Sequence, residues 1–381
     1  MRILYGVVGE GMGHAIRSKV VLEHLRASGH DVKIVVSGRA HALLAKHFDD
    51  VVEISGFPLV YEQNVLDTDA TARKILSNAP LYALDNIDAY VRDVSPFDAQ
   101  AVITDFDSFA HLYALRHRVP LLSIDNQHAI TRLEHPADIF VVRDASGEVV
   151  RDYTADFDLA YRVVSAKISR AHHYLVTTFF FPPIKPKLQH NTSLFPPILR
   201  PEIIDAKKRA TLGDHVLVYQ TSASYAALLD HLAGMKGEFR VYGFIRPDAP
   251  PPPGTPEGDD VRYAPNVLLR RFSETGFIDD MVTARAVVAG GGFTVLGEAV
   301  FLGKPVFSVP VQGHFEQIIS ARYLEKLGYG EHHDALTPDA LASFLTKVDR
   351  YAKALERHVQ DGNRALLAKV DHLLATIGTK V

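Results

Sequence analysis

Ala286-Val287-Val288-Ala289-Gly290-Gly291-Gly292-Phe293-Thr294-Val295-Leu296-Gly297-Glu298 opens the stretch that decides the fold, and that stretch runs on to Glu316-Gln317. Four apolar residues suit a strand buried on both faces, a glycine triplet ends it, and a helical run follows at once. Glycines at the carboxyl end of a parallel strand let backbone N–H groups approach a phosphate with no Cβ in the way, and the helix start adds the positive end of its dipole. Gly291, Gly292, Phe293 and Thr294 are therefore candidate anion ligands. Such a turn can also be no more than tight packing, so its neighbours matter. Glu298, farther along the helix, could accept hydrogen bonds from a ribose, and Glu316-Gln317, opening the next helix, could hold the hydroxyls of a sugar. Together they suggest a nucleotide-sugar site.

Around this stretch the chain has one rhythm, repeated. Apolar runs at 3–8, 32–36, 51–54, 101–104, 121–124, 139–142 and 174–178 alternate with amphipathic segments such as 16–28 and 108–117. Strands alternating with helices imply a parallel sheet, so residues 1–181 read as a Rossmann-like domain. Phe179-Phe180-Phe181 reads as a buried strand end. The rhythm breaks at Phe181-Pro182-Pro183-Ile184-Lys185-Pro186 and Phe195-Pro196-Pro197, where proline removes donors and stiffens the chain, so 182–201 reads as a linker. Strands resume at 215–219, 239–244, 261–263, 286–289 and 305–309, making 202–360 a second Rossmann-like domain. The expected architecture is α/β, with two such domains facing across a cleft. Leu366, Leu367, Val370, Leu373 and Leu374 mark a terminal helix within 361–381.

At 381 residues, with 47% hydrophobic residues, the chain can fill two cores. Its formal charge of −4 comes from 41 basic and 45 acidic residues with no basic stripe, so a nucleic-acid partner is not expected. The absence of cysteine removes disulfides, thiolate catalysis and cysteine metal sites, and it agrees with a cytoplasmic location. No signal peptide and no spanning segment is expected. A peripheral membrane contact stays open, with residues 57–61 the aromatic loop to supply it. No metal motif is found, and the adjacent His332-His333-Asp334 reads as a turn. The oligomeric state is not legible.

The order Gly290-Gly291-Gly292, Glu298, Gly303-Lys304-Pro305, Pro310, Glu316-Gln317, Ala321 resembles the donor-binding signature of inverting glycosyltransferases of the GT-B fold. It is similar both to the peptidoglycan lipid-linked N-acetylglucosaminyltransferases and to the macrolide and plant-type UDP-sugar glycosyltransferases. Those families often carry Asp-Gln where Glu316-Gln317 stands here. The resemblance implies a UDP-sugar or, less favoured, a dTDP-sugar as co-substrate, an acceptor of unknown class, and no cofactor or metal. It also implies that the terminal helix crosses back to the first domain.

Gly6-Val7-Val8-Gly9-Glu10-Gly11-Met12-Gly13-His14 closes the first strand and opens a helix near Ala15. A dinucleotide fingerprint fails here, because His14 occupies the third glycine position and no acidic residue ends the second strand, although Arg39 keeps an NADP reading open. The loop resembles instead the glycine-rich turn ending in Gly-His of the same glycosyltransferases, which implies that His14 takes the acceptor's proton. Imidazole suits that task, since its ordinary pKa of ~6.5 leaves much of it neutral near pH 7. In plant-type relatives an aspartate at the end of a later strand orients this histidine. Asp105 is the favoured counterpart, Asp107 and Asp125 are rivals, and each could instead cap a helix. Arg17 stands where those families usually have proline. As a cation in the first helical turn it is expected to contact an acidic substrate group or, equally, to pair with a nearby acid at the surface, and with Gly13 it is a candidate anion or acceptor contact.

In the second half, Ser222 and Ser224 follow a strand and could bind pyrophosphate or cap a helix, and Phe272 could flank a uracil. The resulting expectation is a metal-independent single displacement: diphosphate held by the glycine-loop amides, ribose by Glu298, sugar by Glu316 and Gln317, acceptor deprotonated by His14. Two other readings share these residues, a UDP-sugar 2-epimerase of the same fold and a non-catalytic nucleotide-sugar-binding protein.

Overall fold

The computed structural model describes residues 1–9, 11–56, 61–62, 65–66, 73, 77, 81, 84–219, 227–245, 260–271 and 273–378. It divides into two compact units, Met1–Val60 with Asp67–Arg200 and Asp361–Val381, and Tyr61–Leu66 with Pro201–Gln360.

In chain order the first elements are β1 (Arg2–Val7), α1 (Met12–Ala27), β2 (Asp31–Ser37), α2 (Gly38–Leu44) and β3 (Val51–Ile54), then the short antiparallel pair β4 (Tyr61–Glu62) and β5 (Val65–Leu66). There follow β6 (Ala101–Asp105), α3 (Ser108–His117), β7 (Leu121–Asp125), α4 (His128–Arg132), β8 (Val141–Arg143), β9 (Val149–Asp152), α5 (Thr154–Lys167), β10 (His173–Thr177) and β11 (Thr192–Phe195). Seven of these strands form one parallel sheet in the order β11-β10-β7-β6-β1-β2-β3. Its central strands are buried along nearly their whole length, which is why they read as apolar runs rather than alternating ones.

The second unit contains α6 (Pro201–Ala206), β12 (His215–Tyr219), α7 (Ala227–Ala233), β13 (Glu238–Ile245), β14 (Val261–Ala264), β15 (Val267–Arg271), α8 (Glu274–Thr283) and β16 (Ala286–Ala289). It continues with α9 (Phe293–Leu302), β17 (Val306–Ser308), α10 (Phe315–Lys326), β18 (Gly330–His332), α11 (Pro338–Leu345) and α12 (Val348–Leu355). Its sheet runs β14-β15-β13-β12-β16-β17-β18, parallel except for β14 against β15. Ser273 caps α8 and Thr337 caps α11, each side-chain oxygen accepting the N–H three residues on.

The last helix, α13 (Arg364–Gly378), belongs to the first unit. Leu366, Val370, Leu373, Leu374 and Ile377 join the core made by β1, β2, β6 and α1. His24 Nε2 lies 2.8 Å from Asp371 Oδ1, and Asn363 exchanges two hydrogen bonds with the backbone of Leu199.

Several expectations change. The proline-rich stretch 182–201 is not a free spacer. Its prolines flank β11, which pairs with β10 at the sheet edge, and Ile198 and Leu199 are buried. The run 139–142 is not a sheet strand either: a 3₁₀ turn at Ala137–Ile139 leads into β8, which pairs only with β9 as a hairpin. Phe179 and Phe180 are buried beyond the end of β10, but Phe181 is 53% exposed, so the buried run stops one residue short of the expected strand end. His332 ends a strand rather than forming a turn, and His333 stacks on Phe307 at 4.3 Å.

Candidate active site

Both sheets reverse their strand order at one place, between β1 and β6 in the first unit and between β12 and β16 in the second. The crevice outside the carboxyl ends of the strands at such a reversal is where open α/β sheets bind ligands. Residues singled out from the sequence sit at both.

In the first unit the β1–β6 register sets Val7 against Asp105, and Val8 N–H donates to the Asp105 carbonyl at 3.2 Å. The carboxylate therefore sits beside the start of α1, where His14 and Arg17 lie one turn apart. His14 Nδ1 is 2.9 Å from Asp105 Oδ1. Arg17 grips the same carboxylate side-on, Nε donating to Oδ2 at 2.7 Å and Nη2 to Oδ1 at 2.5 Å. Ser18 Oγ donates to Oδ2 at 3.1 Å, and Arg17 Nη1 donates to Asn126 Oδ1 at 2.6 Å. Arg17 is 4% exposed and Asp105 1%. Burial alone would raise the Asp105 carboxyl; the Arg17 guanidinium first, and then contact with the His14 ring, outweigh it and hold the group well below the usual carboxylate range. Beneath it, Tyr5 is pushed up by burial and, next, by the Asp105 charge.

The rival aspartates are committed elsewhere. Asp107 caps α3, accepting the Ala110 N–H at 2.8 Å, and burial pushes its carboxyl up to about 6. Asp125 is held by His128 Nδ1 at 2.8 Å and the Ser123 hydroxyl at 2.6 Å; these contacts, led by the His128 charge, lower it against the upward pull of burial. Gly13 lies half-buried in the first turn of α1. Arg17 differs from expectation: α1 begins at Met12 rather than near Ala15, so Arg17 sits in its second turn, and its guanidinium meets Asp105 inside the protein.

On its other side, His14 Nε2 is 3.4 Å from the side-chain amide nitrogen of Gln127. A carboxylate only accepts, so a ring whose Nδ1–H donates to Asp105 keeps its lone pair on Nε2, toward Gln127. Ser18, Asn126 and Gln127 escaped the sequence reading. For Asn126 and Gln127 the one signal was the polar run Asp125-Asn126-Gln127-His128 at the end of an apolar strand, and Ser18 carried none.

In the second unit Gly290, Gly291 and Gly292 join β16 to α9. A Cβ on Gly291 would stand 2.4 Å from Cβ of Gln317, so this glycine is required by packing against α10. Its N–H donates to Gln317 Oε1 at 3.3 Å, and Val311 N–H donates to the same oxygen at 3.0 Å. Gln317 thus ties the glycine turn to the loop after β17 through its side-chain oxygen. Gly292 is different: a Cβ there would meet nothing within 4 Å. It N-caps α9 with no side-chain hydrogen bond, so the positive end of the helix dipole and the first-turn amides, those of Phe293 and Thr294 among them, lie at this turn. Glu298 lies within α9 and is 1% exposed, and Glu316 is half-buried in the first turn of α10. Gly303-Lys304-Pro305 is architecture: Gly303 ends α9 at φ +77, and the buried Lys304 ammonium donates to the carbonyls of Thr211, Val282 and Ala284. Ser222, Ser224 and Phe272 lie outside the described residues.

Among the described residues no cluster of histidine, aspartate and glutamate has the form of a metal site, and no helix is long and apolar enough to cross a membrane.

The family model described as glycosyl transferase family 1 matches residues 1–349. A Methanosarcina mazei protein named only as an uncharacterized glycosyltransferase is 25% identical over 359 residues, covering 89% of this chain and 88% of its own. Among solved structures, UDP-glucose:anthocyanidin 3-O-glucosyltransferase in complex with UDP superposes with a TM-score of 0.65 at 12% identity, covering 100% of this chain and 99% of its own. Acinetobacter baumannii MurG does so with a TM-score of 0.56 at 14% identity, covering 97% and 99%. With two α/β units of GT-B type and a family match over most of its length, the chain belongs to glycosyl transferase family 1 and is a glycosyltransferase.

Proposed function

We propose that the enzyme is an inverting, metal-independent glycosyltransferase that moves a sugar from a nucleoside diphosphate, uridine diphosphate first, to an acceptor hydroxyl. The observation that carries the reading is the His14–Asp105 pair at the strand-order reversal of the first unit. Nδ1–H donating to Asp105 fixes the tautomer, and Nε2 receives the acceptor's proton as its oxygen forms a bond to the anomeric carbon. The anomeric C–O bond to the diphosphate breaks in the same step, and attack from the opposite face inverts the centre.

The second unit supplies the donor side. The amides of Gly292, Phe293 and Thr294, with the α9 dipole behind them, meet the negative charge that grows on the leaving diphosphate. Glu298 takes the ribose hydroxyls, and Glu316 and the Gln317 amide take the sugar. Ser222 and Ser224 are further candidates for the pyrophosphate and Phe272 for the base. The preference for uridine is supported by the bound nucleotide of the anthocyanidin glucosyltransferase. A cytoplasmic location accompanies this reading.

A UDP-release screen of sugar donors against lipid, glycan and small-molecule acceptors tests it. Acceptor-dependent UDP release with inversion, undiminished by a chelator, is expected. Epimer formation from UDP-N-acetylglucosamine alone, or retention at the anomeric carbon, would refute it.

A further inference from the structure

Arg17 touches both members of the His14–Asp105 pair. Its Nη2 is 2.8 Å from His14 Nδ1 and 2.5 Å from Asp105 Oδ1, while that same ring nitrogen is 2.9 Å from the same oxygen. Three polar atoms therefore form a closed triangle, two on donors and one on an acceptor. Guanidinium has no lone pair to offer, so it competes with the ring for Oδ1 and sets a positive charge against Nδ1–H.

We propose that Arg17 is a positioning residue that acts on His14 through charge: by neutralising Asp105 and facing the ring, it keeps the pair from trapping a proton before an acceptor arrives. The inference rests on the reading of His14 as the base. A buried aspartate alone beside an imidazole stabilises imidazolium, and an imidazolium cannot take the acceptor's proton. With Arg17 in place the neutral ring, Asp105 and Arg17 together carry no net charge, and protonating the ring leaves an uncompensated cation in a buried site.

Among the described residues the titratable and charged groups at this ring are Arg17 on α1 and Asp105 on β6, with Tyr5 of β1 beneath Asp105. The other neighbours are neutral: Ser18 on Asp105, Asn126 on Arg17 and the Gln127 amide at Nε2. Asp125 and His128 are turned toward each other one strand away. Asp107, whose charge couples to that of Asp105, is turned to the start of α3. Among the described residues the groups in contact with the ring are therefore one carboxylate, which favours protonation, and Arg17, which opposes it.

Arg17→Gln keeps a donor for Asp105 and removes the charge; Arg17→Lys keeps the charge and loses the fork. Ring protonation of His14 is followed by ¹⁵N-edited NMR, assigned against His14→Gln, beside the acid limb of kcat/KM. In Arg17→Gln both should move to higher pH by about one unit or more, the effect expected of removing a charge at this distance; in Arg17→Lys both should stay within a few tenths of wild type. Asp105→Asn should move ring protonation the opposite way, which keeps the test decisive if the glutamine variant folds poorly. A ring that titrates alike in all forms, or shifts equally in the glutamine and lysine variants, overturns the proposal. If the ring shifts and the kinetic limb does not, Arg17 keeps its role and the assignment of His14 as base is what fails.

Discussion

The two units share a strand order through six positions, β3-β2-β1-β6-β7-β10 and β15-β13-β12-β16-β17-β18, yet they furnish the reversal crevice in opposite ways. In the first, a side-chain cluster fills it: carboxylate, guanidinium and imidazole, bonded to one another and largely removed from water. In the second, the described residues offer main chain: a glycine with open space around it and the amides of a helix start. Buried ionised side chains hold a proton-transfer group in one orientation, and amides present a fixed positive field to an incoming anion. On the proposed function one topology serves two chemistries, and each unit is expected to fail in its own way when altered.

The largest expected effect separates the units by their cores. Deleting residues 361–381 strips Leu366, Val370, Leu373, Leu374 and Ile377 from the first core. At roughly 1.5–3 kcal/mol for each buried aliphatic side chain, the loss reaches the whole stability of an ordinary domain. Calorimetric unfolding should lose the transition of the first unit and keep that of the second, whose core is separate. A truncated chain with both transitions intact would mean that α13 packs only weakly.

Next in size, His14→Ala should lower the rate of transfer by about 10³-fold, the middle of the range for a positioned base, with Asp105→Asn close behind. Single-turnover measurement with saturating donor reads this directly. A loss below about tenfold would move the proton acceptor to another group.

Lys304→Met probes the second unit. It leaves the carbonyls of Thr211, Val282 and Ala284 without their shared cation, at a cost of about 3 kcal/mol. Denaturant midpoints should fall for the second unit alone, and a neutral result would show that water replaces the ammonium.

The smallest effect concerns Asp107. Its folded-state value of about 6 lies above the ordinary 3.8, so between those pH values the folded chain keeps a proton that the unfolded chain has released. Stability contributed by this group therefore falls as pH rises through that window and is gone above it. Asparagine caps a helix as well as aspartate, so Asp107→Asn should flatten the slope and stabilise the first unit near pH 7 by about 1–3 kcal/mol. Unfolding midpoints taken from pH 4 to pH 7 decide; an unchanged slope would reject the assignment.

Much of this was legible because the strands flanking both reversals, β1, β6, β12 and β16, have apolar middles and are punctuated by glycine or a polar turn. What escaped did so for tertiary reasons. Asp105, Asp107 and Asp125 stand in similar local sequence, and only the β1–β6 register brings the first of them under α1. Arg17 read as a first-turn cation facing a ligand's acidic group because its helix seemed to begin three residues later; its acidic partner is Asp105. The edge strands β11, among prolines, and β18, three residues long, gain their order from a neighbour rather than from their own composition. The glycine triplet was only half read: Gly291 is demanded by Gln317, and Gly292 is the position left open.

Calorimetric titration of UDP into wild type, His14→Ala and Glu298→Ala tests the division of labour most directly. The expected result is affinity within about twofold of wild type for His14→Ala and at least about tenfold weaker for Glu298→Ala, the scale of one good hydrogen-bonding group. Equal weakening in both variants, or no heat of UDP binding in the wild type, would contradict it.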